Sequence, residues 1–332
     1  MSAVPKIKAV LISDVHFNLN TKDVAAFSIR EAARAANKYE VPLIICGDIH
    51  DTKAHMRAEC VNAMIDSIKT CNTEIFILVG NHDKINEKSH EHALEFLNPY
   101  AYVIDHHIYL SSLDMYFFSY SSDVKVTKRL LADIPNPSIV IMHQGFNGAH
   151  GGEYYNDPTA LNFSDAKGLR VISGHYHRRQ TIERDGCKLS YVGNPYTLTF
   201  AEVQDPEKGF QLLFDDGTLS FVPIGARKHV ITQVRADNLE ALKDAALSSV
   251  DIHMIQVFAT NLEIISFERK KLSSILGFNN YRLKFMPLDT NPQVSTTAAT
   301  ANNAETILKA VDQSTLRPPE KVEVKEVIEV FK

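Results

Sequence analysis

Five short apolar runs, each followed directly by polar residues, constrain the fold of this chain more than any other feature of its sequence. The runs span residues 7–13, 43–46, 74–79, 139–142 and 169–173. A continuous apolar run of this kind is typical of a strand that is buried on both faces of a sheet. Residues 22–39, which are Ala-rich and contain neither Gly nor Pro, and residues 56–69 predict helices between the first three strands. Strands that alternate with helices indicate βαβ units and an α/β layered fold.

The chain changes to hairpins after these runs. The Asp-Gly dipeptides at 185–186 and 216–217 are turn signals between β-rich segments, and they predict a second sheet that packs against the first. The expected organisation is two packed β-sheets flanked by helices over residues 1–225, a small α/β capping domain over 226–289, a polar linker over 290–303 and a helical tail over 304–332.

Composition excludes several classes of protein. The chain has 332 residues, which suggests about two domains. Its 35 Lys and Arg against 40 Asp and Glu give a net charge of −5, so nucleic-acid binding would need a local basic face or bound metal. No apolar run is long enough to cross a membrane, the amino terminus lacks the apolar segment of a secretory signal, and the four cysteines form no CxxC pair. We therefore expect a cytoplasmic enzyme with reduced thiols, and we exclude secreted, membrane and collagen-like proteins.

Side chains that can carry chemistry follow all five apolar runs. In chain order they are Asp14 and His16, Asp48 and Asp51, Asn81 and His82, His143, and His175 and His177. Ligands collect at the carboxyl ends of strands in α/β sheets, so we expect these side chains to meet. A mixture of imidazole and carboxylate suits Mn, Fe or Zn and is poorly matched to Mg or Ca. Without Asp51 and His82, two Asp, one Asn and four His remain. These seven are too many ligands for one ion and suit two, provided that one carboxylate bridges them.

Taken singly, each of these motifs has a simpler explanation. A lone His at the end of a strand is more often a hydrogen-bonded surface or core residue, and a lone Gly-Asp or Gly-Asn pair is usually a turn. All five motifs share one location in the predicted fold, however. That common location favours a metal site.

The motifs also resemble a known family. Asp14-x-His16, Gly47-Asp48-x-x-Asp51, Gly80-Asn81-His82-Asp83, His143 and Gly174-His175-x-His177 resemble, in order and spacing, the signature of the calcineurin-like metallophosphoesterases. Within that superfamily, residues 191–200 and 205–210 resemble the SbcD-type DNA-repair nucleases, most closely the small subunits of tailed-phage recombination endonucleases. Many cellular relatives carry His where this chain has Asp51, and the phage branch shares this departure.

The resemblance implies a metallophosphoesterase fold with two divalent ions, most readily Mn²⁺, with Fe, Zn or Mg as alternatives. It implies that Asp14, His16, Asp48 and His177 hold one ion and that Asp48, Asn81, His143 and His175 hold the other. Two such ions can activate water and clamp the phosphate oxygens. His82 would position the phosphate or protonate the leaving oxygen, and Asp51 would orient the His82 ring. The alternative is a purely structural His82.

The function implied by the resemblance is that of a DNA nuclease. It would act as an exonuclease on duplex ends and an endonuclease on single strands, in DNA repair, recombination or end processing. Arg178, Arg179 and Lys84 could contact DNA phosphates, although an ordinary solvated charged face explains each of them equally well. The alternatives are a phosphatase or small-nucleotide phosphodiesterase on the same centre, and a non-catalytic scaffold, which would be expected to lack some of the ligands.

The tail implies a protein partner. Its two apolar stripes cannot bury themselves alone, so they need a partner groove or helix. The resemblance implies that the tail binds the coiled coil of an SbcC-type ATPase subunit and that the nuclease forms a homodimer, with no membrane involved. The alternative is a tail that folds back on its own domain.

Overall fold

The computed structural model describes residues 5–52, 55–86, 88–151, 157–205, 207–245 and 247–288. Within these ranges, fifteen strands form three sheets and five α-helices pack against them. The predicted linker, residues 290–303, and the predicted tail, residues 304–332, lie outside the described residues.

The first sheet has six strands. They are β1 (Ile7–Ile12), β2 (Leu43–Ile45), β3 (Ile75–Leu78), β4 (Tyr102–Ile104), β11 (Gly209–Phe214) and β12 (Leu219–Pro223). Their spatial order is β12-β11-β1-β2-β3-β4. The first four strands are parallel, and the hairpin of β11 and β12 joins the sheet antiparallel to β1.

The second sheet also has six strands. They are β5 (His107–Leu110), β6 (Met115–Phe118), β7 (Ile139–His143), β8 (Arg170–Gly174), β9 (Gln180–Arg184) and β10 (Cys187–Tyr191). In the spatial order β5-β6-β7-β8-β10-β9, the four central strands are parallel and the two edge strands are antiparallel to their neighbours.

The two sheets bury apolar side chains on both of their faces. In β1, Ala9 and Leu11 belong to the core between the sheets, whereas Val10 and Ile12 pack under α1 (Lys22–Tyr39) and α2 (Ala58–Ile68). A third helix, α3 (Val124–Ala132), covers the outer face of the second sheet. This layering explains why the strands are apolar without alternation, and it confirms the expected α/β fold of two packed sheets flanked by helices.

A third sheet follows the first two in the chain. Its strands β13 (His229–Arg235), β14 (Ile252–Ala259) and β15 (Tyr281–Pro287) are all parallel, and α4 (Asn261–Ile265) and α5 (Arg269–Leu276) lie between the last two. These elements enclose a separate apolar cluster. The sheet is tied to the rest of the molecule where the His229 amide donates to the Thr197 hydroxyl at 2.7 Å. A small α/β unit is therefore present in this part of the chain, and its limits at 226 and 289 stay predictions.

The sequence signals did not predict every element. Strands β4 to β6 and helix α3 lie in a stretch for which the sequence predicts no element. All four cysteines are free thiols, as expected. Among the described residues, no helix combines the length and the apolar character that crossing a membrane requires.

Candidate metal centre

Five strand ends deliver the candidate ligands to one edge of the two sheets. Four of the ligands, Asp14, His16, Asp48 and His175, have positive φ angles of 53°, 50°, 51° and 88°. Such backbone conformations are unfavourable for residues with a side chain, and they tend to occur where function requires them. Hydrogen bonds hold these turns in place: the His175 amide donates to the Asp14 carboxylate at 3.0 Å, and the His82 amide donates to the Asp48 carboxylate at 2.8 Å.

Glycines let the strand ends approach closely. A methyl group added at Gly47, whose φ is +94°, would collide with the His143 ring, and one added at Gly80 would collide with the Asp48 carboxylate. A methyl group at Gly174 would meet the Cys46 carbonyl, where the two sheets face each other. These glycines are therefore required by the space that the candidate ligands occupy.

The buried Asp83 carboxylate fixes two of these loops together. It accepts hydrogen bonds from the backbone amides of Asp48, His50 and Gly80 at 2.8–2.9 Å. Burial and the neighbouring Asp48 charge raise the pKa of Asp83 to about 7. Asp83 therefore holds these two loops in place.

The first group of candidate ligands consists of Asp14, His16 and His177. Their ligand atoms lie within 4.8 Å of one another, and Asp14 and His16 are buried. The Nε2 atoms of His16 and His177 are only 3.2 Å apart.

The second group consists of Asp48, His143 and His175, with Asn81 between the two rings. The three ionisable residues have ligand atoms within 4.8 Å of one another. The Asn81 Oδ1 atom lies 3.1 Å from His143 Nε2 and 2.8 Å from His175 Nδ1. Asp48 Oδ2 lies 3.3 Å from His143 Nε2 and 3.9 Å from His16 Nε2, so this carboxylate faces both groups. The structure thus brings together all seven predicted ligands, and their metal-binding roles stay predictions.

Three of the four imidazole rings in the two groups hydrogen-bond an acceptor on their outer side, and the fourth, His16, faces a carboxylate. His143 Nδ1 donates to the Cys46 carbonyl at 2.7 Å, and His16 Nδ1 lies 3.3 Å from the Asp51 carboxylate. The two remaining pairs are His175 Nε2 with Asp157 Oδ2 at 3.1 Å and His177 Nδ1 with Glu202 Oε1 at 3.3 Å. An outer acceptor places the ring proton on that side, and the inner nitrogen then presents a lone pair.

Electrostatics favour positive charge at this centre. Burial raises the pKa of Asp48, but the nearby His143 and His16 outweigh it and hold the pKa well below its ordinary value. Burial lowers the pKa of His143, and the Asp48 and Asp14 charges overcome it and raise the pKa to about 9. The buried carboxylates therefore stabilise a cation among the rings.

The donor set fits a pair of divalent ions. The inner nitrogens of His16 and His177 face each other at 3.2 Å, an arrangement that a cation beside them would stabilise. The inner nitrogens of His143 and His175 converge in the same way on the Asn81 oxygen. Imidazole and carboxylate ligands of this mixture suit Mn, Fe or Zn.

His82 lies beside the first group, with its ring centroid 4.9 Å from that of His16. Its Nδ1 donates to the backbone carbonyl of Asp51 at 2.7 Å. The orienting group is therefore the main chain of Asp51, whereas the Asp51 carboxylate faces His16 and accepts from the Asn18 amide at 3.0 Å. The sequence pairs Asp51 with His82, and the structure shows that the Asp51 side chain serves a metal-ligand candidate instead.

The three basic residues expected to touch DNA lie in different surroundings. Arg178 lines the cleft beside His16 and His177. Arg179 stacks over Phe221 at 4.0 Å and pairs with Glu207 at 3.2 Å, and it does not line this cleft. Lys84 is buried near Tyr120, whose ring lies beside those of His143 and His175 in the second group.

Two acidic residues of the centre have no counterpart among the predicted site residues. Glu202 accepts from Asn194 at 2.8 Å as well as facing His177, and Lys208 lies 3.5 Å from the same carboxylate. Asp157 faces His175. Both lie outside the five strand-end motifs, so the strand-end rule could not find them. The sequence signal near Glu202 is the pair of stretches 191–200 and 205–210, which resemble the SbcD-type nucleases and lie on either side of it.

Residues 7–179 match the calcineurin-like phosphoesterases, and the chain belongs to this family of metal-dependent phosphoester hydrolases. Among similar solved structures, an archaeal phosphodiesterase is 17% identical, with 66% of this chain and 100% of that chain covered and a TM-score of 0.36. Phosphopantetheinyl hydrolase from Mycobacterium tuberculosis is 14% identical, with 57% and 90% covered and a TM-score of 0.37. GAP50 from Plasmodium is 15% identical, with 75% and 96% covered and a TM-score of 0.42. No curated protein matches the chain by sequence.

We expect Glu202→Gln to weaken Mn²⁺ binding about 10- to 100-fold, because the outer acceptor of a metal-ligating imidazole fixes its orientation and basicity. Titration calorimetry with Mn²⁺ measures this loss. Glu207→Gln is the matched control, since Glu207 is exposed and pairs with Arg179 rather than with a ligand. Equal Mn²⁺ affinity in Glu202→Gln and the unaltered chain would contradict the assigned role.

Proposed function

We propose that this phosphoester hydrolase is a DNA nuclease that works with an SbcC-type ATPase subunit. The proposal is supported by the candidate metal centre, by the resemblance of residues 191–200 and 205–210 to the SbcD-type nucleases, and by the surroundings of His82. The observation that carries it is the position of His82 in the wall of an open cleft beside the first ligand group.

This first cleft has a volume of about 810 Å³. Its walls include His16, His82, His177 and Arg178, and the loop from Leu198 to Asp205 forms the far side. The cleft is only partly enclosed, so a strand longer than one nucleotide can extend beyond it. Arg178 is placed to pair with a phosphate next to the reacting one.

The chain's own residues divide the work of the reaction. Asp14, His16, Asp48 and His177 would hold one ion, and Asp48, Asn81, His143 and His175 would hold the other. When bound, the ions would supply Lewis-acid charge at the phosphate and water of lowered pKa. The outer acceptors Asp51, Cys46, Asp157 and Glu202 keep the four imidazoles in one orientation.

His82 acts on the substrate from outside the ligand set. Because its Nδ1 donates to the Asp51 carbonyl, Nε2 is the polar atom that remains for the cleft. A protonated His82 can donate Nε2–H to a phosphate oxygen, or pass this proton to the ribose oxygen that leaves phosphorus. Either contact strengthens as negative charge develops in the transition state.

We expect His82→Ala to lower the rate of DNA cleavage about 10²- to 10⁴-fold, because general-acid and phosphate-positioning contacts contribute on this scale. The assay follows nucleotide release from an end-labelled duplex with Mn²⁺, alongside a small phosphomonoester. Mn²⁺ affinity measured on the same variant separates the roles, since a metal ligand would lose affinity and His82 should not.

Two outcomes contradict the nuclease proposal. Fast monoester turnover with intact DNA would assign the chain to the phosphatases or small-nucleotide phosphodiesterases that share this centre. DNA cleavage that is unchanged in His82→Ala would leave His82 with a structural role only.

Removing the chain beyond Asn291 tests the proposed partner. We expect the truncated chain to lose its complex with an SbcC-type ATPase subunit, because the apolar stripes of the tail are removed. Size-exclusion chromatography of the mixed proteins measures the complex. A full-length control with Ile307→Asp and Ile328→Asp keeps the tail length and removes apolar side chains from both stripes. Unchanged complex formation in both variants would contradict the partner proposal.

A further inference from the structure

A second cleft lies near the second ligand group, whereas the first cleft lies beside His16 and His177 of the first group. Its volume is about 840 Å³, and it is formed by the loop after β3 and the segment that joins β6 to α3. Its basic side chains are Lys84, Lys88, His90 and Lys125. None of these residues belongs to the ligand groups of the centre.

The topology explains the positions of the two clefts. The walls of the first cleft include the loops after β1, β8 and β10, together with Asp51 and His82, whereas the second cleft is lined by the loops after β3 and β6. The candidate ligands follow β1, β2, β3, β7 and β8. Tyr120 lies between the second cleft and the second ligand group. Its ring is 5.9 Å from that of His175, and Lys84 Nζ lies over the same Tyr120 ring, 5.7 Å from its centroid.

Lys84 is the unusual residue of the second cleft. Its side chain is only 6% exposed. Among the described residues, none accepts a hydrogen bond from its ammonium group or forms an ion pair with it. The ammonium group lies over the Tyr120 ring. Burial lowers the pKa of Lys84, and the more distant Asp105 charge opposes this. A buried ammonium without an anion is unfavourable, because its loss of hydration is not compensated. A bound anion would compensate this loss.

The rest of the second cleft is also arranged for an anion. Lys88 and Lys125 are exposed lysines on its rim, against one carboxylate, Asp123. That carboxylate is occupied as the N-cap of α3, where it accepts from the amides of Lys125 and Val126 at 3.1 and 3.3 Å. In a chain with a net charge of −5, this is a local basic surface of the kind that nucleic-acid binding requires.

We propose that the second cleft binds the backbone phosphates of a nucleic-acid strand whose reacting phosphate lies at the metal centre. The inference rests on the proposed function and names its substrate class: a polynucleotide held on both sides of the cleaved diester, rather than a mononucleotide or a single terminal phosphate. Arg178 in the first cleft and the lysines of the second then contact phosphates on opposite sides of the reaction.

The test is binding of a fluorescein-labelled single-stranded DNA 12-mer by the full-length chain in EDTA, followed by fluorescence anisotropy over a range of salt. Lys88→Ala with Lys125→Ala should raise Kd about five- to tenfold at low salt. The salt dependence should become shallower by about 1.4 in log–log slope, since each phosphate contact on a single strand contributes about 0.7. The matched control is Lys188→Ala with Lys243→Ala, which removes two exposed lysines paired elsewhere with Glu183 and Glu240.

Lys84→Met separates a binding role from a structural one. A buried unpaired ammonium replaced by an apolar side chain of similar length should leave the melting temperature equal or higher while Kd rises. A lower melting temperature with unchanged Kd would overturn the inference, as would equal Kd and equal salt slope in the Lys88 and Lys125 variant and its control.

Binding in EDTA does not depend on catalysis, so the two proposals can fail separately. Lysine-dependent binding without DNA cleavage would reject the nuclease and leave a nucleic-acid cleft. DNA cleavage with binding that is insensitive to the lysines would retain the nuclease and reject the second cleft.

Discussion

The buried Asp48 carboxylate lies between two sets of imidazole rings, and its contacts with both sets organise the candidate metal centre. Its two oxygens face His143, His16 and the backbone amide of His82, and it lies where the first sheet meets the second. Ionised carboxylates are buried only when charge or hydrogen bonds compensate them. The positive φ at Asp48, the close glycine at position 80 and the Asp83 brace all serve to hold this group in place. The local strain is consistent with a site built for cations.

Much of this could be predicted from the sequence. The apolar runs predicted the central strands because burial on both faces removes alternation, as the separate packing of Leu11 and Ile12 shows. The strand-end rule then placed the seven candidate ligands on one edge. The apolar-run pattern does not predict strands β4 to β6. These strands are short or lie at the sheet edges, where partial exposure interrupts the apolar pattern.

The outer partners of the imidazoles could not be predicted in this way. Asp157 and Glu202 reach His175 and His177 from positions far along the loops after β7 and β10, well beyond the strand ends where the motifs lie. The sequence identifies Asp51 as a site residue and pairs it with His82. In the structure its carboxylate faces His16, and its backbone carbonyl accepts from His82, because backbone geometry decides which oxygen faces each ring. Arg179, two residues after the candidate ligand His177, turns away to Phe221 and Glu207. The contacts of neighbouring residues depend on side-chain direction, which a motif does not record.

If Asp48 bridges two metal ions, each chain should bind two Mn²⁺ ions, and this number can be measured. Titration calorimetry on the full chain, with metal content measured after gel filtration, should give two ions. His177→Ala should give one, because it removes a ligand of a single group, whereas Asp48→Ala should lose both high-affinity sites. One ion in the unaltered chain, or two ions retained by Asp48→Ala, would contradict the account.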